Sequence, residues 1–292
     1  MPRTMWPGRT SYVCVFPKCA AKWGNPSGEN RMASVEWKSS VVSAAGTDLH
    51  VTRGGEGQPV IILHRDIGTL DRLPFYDALA QNHEVVIPDH PGYGGSPRPE
   101  WVANVRDIAL LQRALLGRLG LNQATLVGLG FGGWIAAEMA TCAPSGTSRL
   151  VLVGAMGLKP PSGEILDQAL VSYIEYVREG FHDVAAFERN YGKSLSTEQL
   201  VQWDLCREMS FRVAWKPYMY NDSLPYLLRG VQAESLIVWG DDDRIVPASV
   251  AALYAERLPH ARRETIANAG HLVEMEQPEA LARLIASFIA ST

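Results

Sequence analysis

The sequence predicts an α/β fold in which a mostly parallel central sheet is covered by helices on both faces. From Val35 onward, short apolar runs alternate with longer segments of helical period. The runs Val60–Leu63, Glu84–Ile87, Ala124–Val127, Leu150–Val153 and Leu236–Trp239 are apolar on both faces, as strands sandwiched between two helix layers must be. An earlier pair, Glu36–Val42 and Leu49–Thr52, instead alternates polar with apolar and is joined through Gly46, which predicts an antiparallel hairpin at the edge of the sheet.

Between the strands, helical spacing is expected over Asp71–Gln81, Val102–Leu119, Gly132–Thr141, Ala248–Arg257 and Pro278–Ser291. The last opens on proline in its first turn and carries Ala280, Leu281, Leu284, Ile285 and Phe288 on one face. The alternation stops over Lys159–Val231, where helical segments follow one another without a convincing strand. This predicts a core made of residues 32–158 and 232–292, with a helical cap of residues 159–231 inserted into it. Residues 1–31 carry Arg3, Arg9, Lys18 and Lys22 with scattered proline and glycine and no periodicity. They are expected to be a disordered extension. A targeting segment, or an upstream start with the true beginning at Met32, are the competing readings, and Tyr12–Phe16 is too short for the apolar region of a secretion signal.

A chain of 292 residues, 47% hydrophobic and 20% charged, can bury one large core. A formal net charge of −4 and the absence of a Lys/Arg cluster leave no basic face for phosphate backbones, so no nucleic-acid partner is expected. No apolar run approaches the ~20 residues of a membrane span, so no membrane partner is expected either. Cys14, Cys19, Cys142 and Cys206 are few and irregularly spaced, which argues against a disulfide framework and fits a reducing, cytoplasmic setting. Oligomeric state has no sequence signal.

Leu126-Val127-Gly128-Leu129-Gly130-Phe131-Gly132-Gly133-Trp134 follows a buried strand and opens a helix. A strand that turns sharply into a helix needs small residues at the bend, and Gly128, Gly132 and Gly133 supply them. Further on, Trp239-Gly240-Asp241-Asp242-Asp243-Arg244-Ile245-Val246-Pro247 and Asn268-Ala269-Gly270-His271 place acidic groups and a histidine in loops after strands.

In these segments the chain resembles the α/β-hydrolase fold superfamily, whose nucleophile elbow reads G-x-S-x-G; this chain reads G-L-G-F-G, with Gly130 at the nucleophile position. The resemblance covers almost everything after residue 35. Val60–His64 looks like the strand that ends at the oxyanion loop, and Pro88-Asp89-His90-Pro91-Gly92-Tyr93-Gly94-Gly95-Ser96 resembles the family turn D-x-P-G-x-G-x-S. The order elbow, acid, histidine also agrees. The resemblance implies Asp243 as the acid and His271 as the catalytic histidine, with Asp241 and Asp242 as turn or surface residues. It also implies an oxyanion hole from the Phe131 N–H and that of Arg65 or Asp66. Relatives usually have His-Gly in this loop, whereas this chain has His64-Arg65-Asp66-Ile67-Gly68. A carboxylate beside a forming oxyanion would oppose it, so Asp66 is expected to point away, to pair with Arg65, or to serve a different reaction. His64, Asp89 and Ser96 are expected to pack and shape turns.

Without the serine hydroxyl an acyl-serine route is closed, and loss of such a nucleophile costs about 10⁶ in turnover. Cys142, far along the elbow helix, is expected to be a small buried hydrophobe and not a substitute. What remains is a carboxylate-oriented histidine, a general base suited to neutral pH. Deletion of the serine side chain is expected to leave room for a water or part of a substrate beside it. The reading favoured is a hydrolase in which His271 activates water against an ester, lactone, amide or activated C–C bond. The alternatives are a serine-independent lyase, isomerase or cofactor-free dioxygenase, and a non-catalytic ligand-binding pseudo-hydrolase. The cap is rich in aromatic residues, Tyr173, Tyr176, Phe181 and Trp203 among them, which suits a small apolar or aromatic substrate. Arg207, Arg212 and Lys216 are more in keeping with a solvated cap surface than with an anchor for an acidic group. No metal or organic cofactor is implied, since Asp241–Asp243 lack histidines at ligand spacing.

Overall fold

The computed structural model describes residues 35–70 and 72–291. The expectation for residues 1–31 lies outside the described residues. Eight strands form one sheet in the order β1-β2-β4-β3-β5-β6-β7-β8. The edge hairpin is present: β1 (Trp37–Ala44) and β2 (Thr47–Gly54) pair antiparallel through Ala45 and Gly46, both at positive φ, as a two-residue hairpin turn demands. β2 also runs antiparallel to β4 (His83–Pro88). β3 (Gln58–Leu63), β5 (Thr125–Leu129), β6 (Arg149–Val153), β7 (Glu234–Gly240) and β8 (Ala261–Ile266) add parallel neighbours.

Alternate side chains of these strands feed two separate cores. Ile61, Leu63, Leu126, Leu150 and Ile237 pack under α2 (Val105–Leu119), α3 (Phe131–Cys142) and α8 (Ala248–Arg257). Val60, Ile62, Val127, Val151 and Leu236 pack on the other face under α1 (Pro74–Ala80), the short α9 (Val273–Glu276) and α10 (Pro278–Ala290). Continuous apolar runs in the sequence are therefore strands covered on both sides.

Two helix starts are later than the periodicity suggests, for local reasons. α1 begins at Pro74, because the extended Leu73 precedes a proline that fixes the first turn; Asp71, the expected start, lies outside the described residues. α2 begins at Val105 and not Val102, because Asn104 and Asp107 form a reciprocal capping box that sets the boundary.

Between β6 and β7 the chain makes α4 (Tyr173–Glu179), α5 (Val184–Tyr191), α6 (Thr197–Ala214) and α7 (Leu224–Leu227), followed by a short 3₁₀ turn. Tyr173, Tyr176, Phe181, Phe187 and Trp203 are buried where these helices meet the rest of the molecule. No helix among the described residues is long and apolar enough to cross a membrane. Loops that follow β3, β5, β7 and β8 gather at the carboxyl ends of the parallel strands, where open α/β sheets bind ligands.

Candidate active site

Gly130 joins β5 to α3 at φ 53° and ψ −112°, a conformation that L side chains adopt only under strain. Its N–H donates to the Val153 carbonyl at 2.8 Å, and its carbonyl accepts from Gly133 and Met156. The bend is as tight as the glycines suggest: a Cβ on Gly132 would lie 2.0 Å from the Leu63 carbonyl oxygen. Phe131 is the first residue of α3, where a backbone N–H has no intrahelical acceptor.

Of the three aspartates after β7, Asp243 meets the histidine. Its Oδ1 accepts from the backbone N–H groups of Ile245 and Val246, at 3.0 and 2.8 Å, which leaves Oδ2 facing His271 Nδ1 at 2.9 Å. Both side chains are buried. With a carboxylate on Nδ1, that nitrogen carries the proton and Nε2 presents a bare lone pair. His271 Nε2 is buried and has no hydrogen-bond partner. Asp241 accepts from the Ala269 N–H, and Asp242 lies in an exposed network with His182 and Arg244.

The oxyanion-loop side departs from expectation. The Arg65 side chain turns inward and is only 2% exposed. Its Nε and Nη2 donate to the two oxygens of Glu274, each at 2.7 Å. Burial alone would lower the Arg65 pKa, but the charge and hydrogen bonds of Glu274 outweigh it and leave the guanidinium raised. The remaining nitrogen, Nη1, is buried and unpartnered. A Cβ built on Gly130 would lie 2.7 Å from Arg65 Nη1 and 3.0 Å from His271 Nε2. The space that a missing serine was expected to open at Gly130 is thus filled by Arg65. A cavity of about 10 Å³ lies beside it instead, lined by Arg65 and His271 together with Asp66, Ile67, Tyr176 and Leu272, but not by Gly130.

Asp66 does not pair with Arg65, nor does it turn to solvent. It is 1% exposed and accepts hydrogen bonds from the Tyr176 hydroxyl, at 2.8 Å, and from Gln168 Nε2. Burial, then the Asp66 charge, push the Tyr176 phenol well above its ordinary pKa and keep it a donor. His64 is a structural residue of this loop: its Nε2 accepts from the His90 N–H, and the two rings stack with centroids 3.8 Å apart. Burial lowers the pKa of both imidazoles. Asp89 accepts from the Gly95 N–H and Ser96 Oγ from that of His50, consistent with shaping the turn. Cys142 is exposed at the end of α3, not buried, because the last helical turn has emerged from the core. Arg207 lies over the rings of Tyr173 and Phe211, Arg212 donates to the Glu100 carbonyl, and Lys216 is exposed; none of the three lines the cavity.

Sequence reasoning missed Glu274, Gln168 and Glu276. Glu276 accepts from the N–H groups of His182, Asp183 and Gly270, and so ties the histidine loop to the start of α5. Glu274 had one legible signal, since it stands among apolar residues in Leu272-Val273-Glu274-Met275 and a buried carboxylate requires a cation. Nothing in the sequence marked Gln168.

A profile described as the alpha/beta hydrolase family matches residues 60–284. Among curated proteins, the chain is similar to a 2-hydroxymuconate semialdehyde hydrolase from Pseudomonas sp. (strain CF600), 27% identical over 275 residues, covering 85% of this chain and 93% of that protein. It is also similar to a 2-hydroxy-6-oxo-2,4-heptadienoate hydrolase from Pseudomonas putida, 26% identical, covering 86% and 96% of the two chains. A solved meta-cleavage product hydrolase from Pseudomonas fluorescens IP01 superposes with a TM-score of 0.71 at 22% identity over 86% of this chain and 97% of that one, a likeness of fold. A profile matched across most of the chain, and an eight-stranded sheet that carries elbow, acid and histidine in that order, together place this protein in the alpha/beta hydrolase family.

Proposed function

We propose that this protein is a hydrolase of a small, largely apolar or aromatic molecule, in which water activated by the His271–Asp243 pair takes the place of a serine nucleophile. One observation carries the reading: a buried imidazole oriented by a buried carboxylate keeps an unpartnered Nε2, on a residue that lines a small apolar cavity. A positioned general base of this kind contributes about 10²–10⁴ in rate. The N–H of Phe131, with that of Arg65 or Asp66, would receive the charge that develops on the substrate carbonyl. Aliphatic and aromatic walls from Ile67, Val177, Ile245, Leu272 and Tyr176 suit an apolar substrate body. Because the cavity is so small, the helical segment over residues 159–231, read as a cap, must move for a substrate to enter.

The names of the similar proteins favour conjugated oxo acids, and with them cleavage of an activated C–C bond, as the first class to try. The test is turnover of a panel of such oxo acids, esters, lactones and β-diketones by wild type and His271→Ala, with dissolved oxygen recorded. Turnover lost in His271→Ala without oxygen uptake is expected. Uptake would move the assignment to an oxygenase, and equal turnover by both proteins would remove His271 from the chemistry.

A further inference from the structure

Two polar atoms in the site have no partner, and they are complementary. Arg65 Nη1 can only donate a hydrogen bond; His271 Nε2, with the proton held on Nδ1, can only accept one. Each is on a side chain at most 3% exposed. Both come within 3.0 Å of the point where a Cβ on Gly130 would lie, and the cavity of about 10 Å³ that the two residues help to line beside it has an almost wholly apolar wall. Buried polar atoms are paired in nearly all folded proteins, so an unpaired donor beside an unpaired acceptor marks the place of a bridging group. The two match the oxygen lone pair and one hydrogen of a single water molecule, which enters when the side chains part slightly.

We infer that Arg65 replaces the missing serine as the residue that holds the nucleophile: its Nη1 and His271 Nε2 together seat the water that attacks the substrate. The inference rests on the reading of His271 as a general base and adds to it a residue that no comparison assigns. In the step, the proton of one water O–H passes to Nε2 and the electrons of that bond form the new bond to the carbonyl carbon. The carbonyl π pair moves onto its own oxygen. The Nη1 hydrogen bond lies on the attacking oxygen as it becomes hydroxide-like, so the cation favours loss of the proton. Glu274 is the positioning residue: it takes two of the three guanidinium nitrogens and so aims the third. A serine at this position would put its Cβ 2.7 Å from Nη1, so the guanidinium would have to shift to accommodate it.

A crystal structure of the full chain at a resolution that shows ordered water gives a first test, whether or not a substrate has been found. An oxygen within about 3.2 Å of both Arg65 Nη1 and His271 Nε2 is expected. A dry cavity, or Arg65 rotated away from Gly130, would overturn the inference. The second test is kinetic, on a substrate from the panel. Arg65→Met would strand the Glu274 charge, so the variant used is Arg65→Met with Glu274→Leu, which keeps the packing and leaves no orphan charge. It is expected to remain folded by thermal unfolding, to keep KM, and to lose about 100-fold in kcat, the scale of one well-placed donor. A folded double variant with wild-type kcat, or a loss confined to KM, would overturn the role of Arg65. Activity retained in His271→Ala, by contrast, would overturn the general-base reading itself.

Discussion

The two halves of the candidate site are held together by different kinds of contact. On the acid–histidine side, Asp243 is fixed by two backbone N–H groups and His271 by Asp243, an arrangement that needs no unusual residue. Around Gly130 the backbone makes a strained elbow, and in front of it lies Arg65, held by a buried ion pair with Glu274. A fully buried cation with its own buried counter-charge is costly to build, so the contacts around Gly130 depend on one another more than those around His271 do.

That contrast predicts how each half should break. The largest effect belongs to the conventional half. Asp243→Asn should fold normally and lose turnover by about 10⁴, since the wrong histidine tautomer is then favoured. Steady-state kinetics beside circular dichroism checks this, and activity within tenfold of wild type would show that Asp243 does not orient His271.

In the half around Gly130, stability should respond first. Glu274→Ala leaves Arg65 charged and unpaired in the interior, and a loss of about 3–5 kcal/mol in urea unfolding is expected. If the loss stays under ~1 kcal/mol, the pair is not a linchpin of this region. Next in size, Gly130→Ser alone should cost about 1–3 kcal/mol from overpacking against Arg65. Its new hydroxyl should stay unreactive toward a fluorophosphonate probe. Adding Arg65→Gly and Glu274→Gln should permit labelling by mass spectrometry. Labelling of the single variant would show that Arg65 does not block the slot.

The smallest effect is a pH dependence. Burial lowers the pKa of His64 and His90 from 6.5 in the folded protein, so the unfolded chain binds protons first as pH falls below that value. Their contribution is complete above about pH 6.5 and is lost as pH falls toward the folded values, with a slope of up to ~1.4 kcal/mol per pH unit for each histidine. Urea midpoints at pH 7.5 and 5.5 measure it; a midpoint that is flat or rises on acidification contradicts the burial of a neutral pair.

The fold was largely legible because its signal is periodic. Short runs such as Val60–Leu63 and Leu150–Val153, rich in β-branched residues, read as strands covered on both faces, and the alternation in Glu36–Val42 marked the edge hairpin. The expected roles of Gly130, Asp243 and His271 came from the resemblance of their loops to those of the α/β-hydrolase family. Long-range pairing was not legible. Arg65 and Glu274 are 209 residues apart, and no spacing rule connects them. The expectation of free space beside Gly130 failed for the same reason: it followed from the missing serine, while the occupant of the slot comes from another loop. Asp66 was identified as a conflict, but its resolution by Gln168 and Tyr176 depends on how residues 159–231 fold back over the sheet.

Rapid-quench mass spectrometry of the wild-type chain during turnover in ¹⁸O-labelled water tests the central claim most directly, since one experiment reads both the protein mass and the product. Direct attack by a water held at His271 predicts one ¹⁸O atom in the product and an unchanged protein mass at every time point; a covalent substrate adduct on the protein, or product free of ¹⁸O, would contradict it.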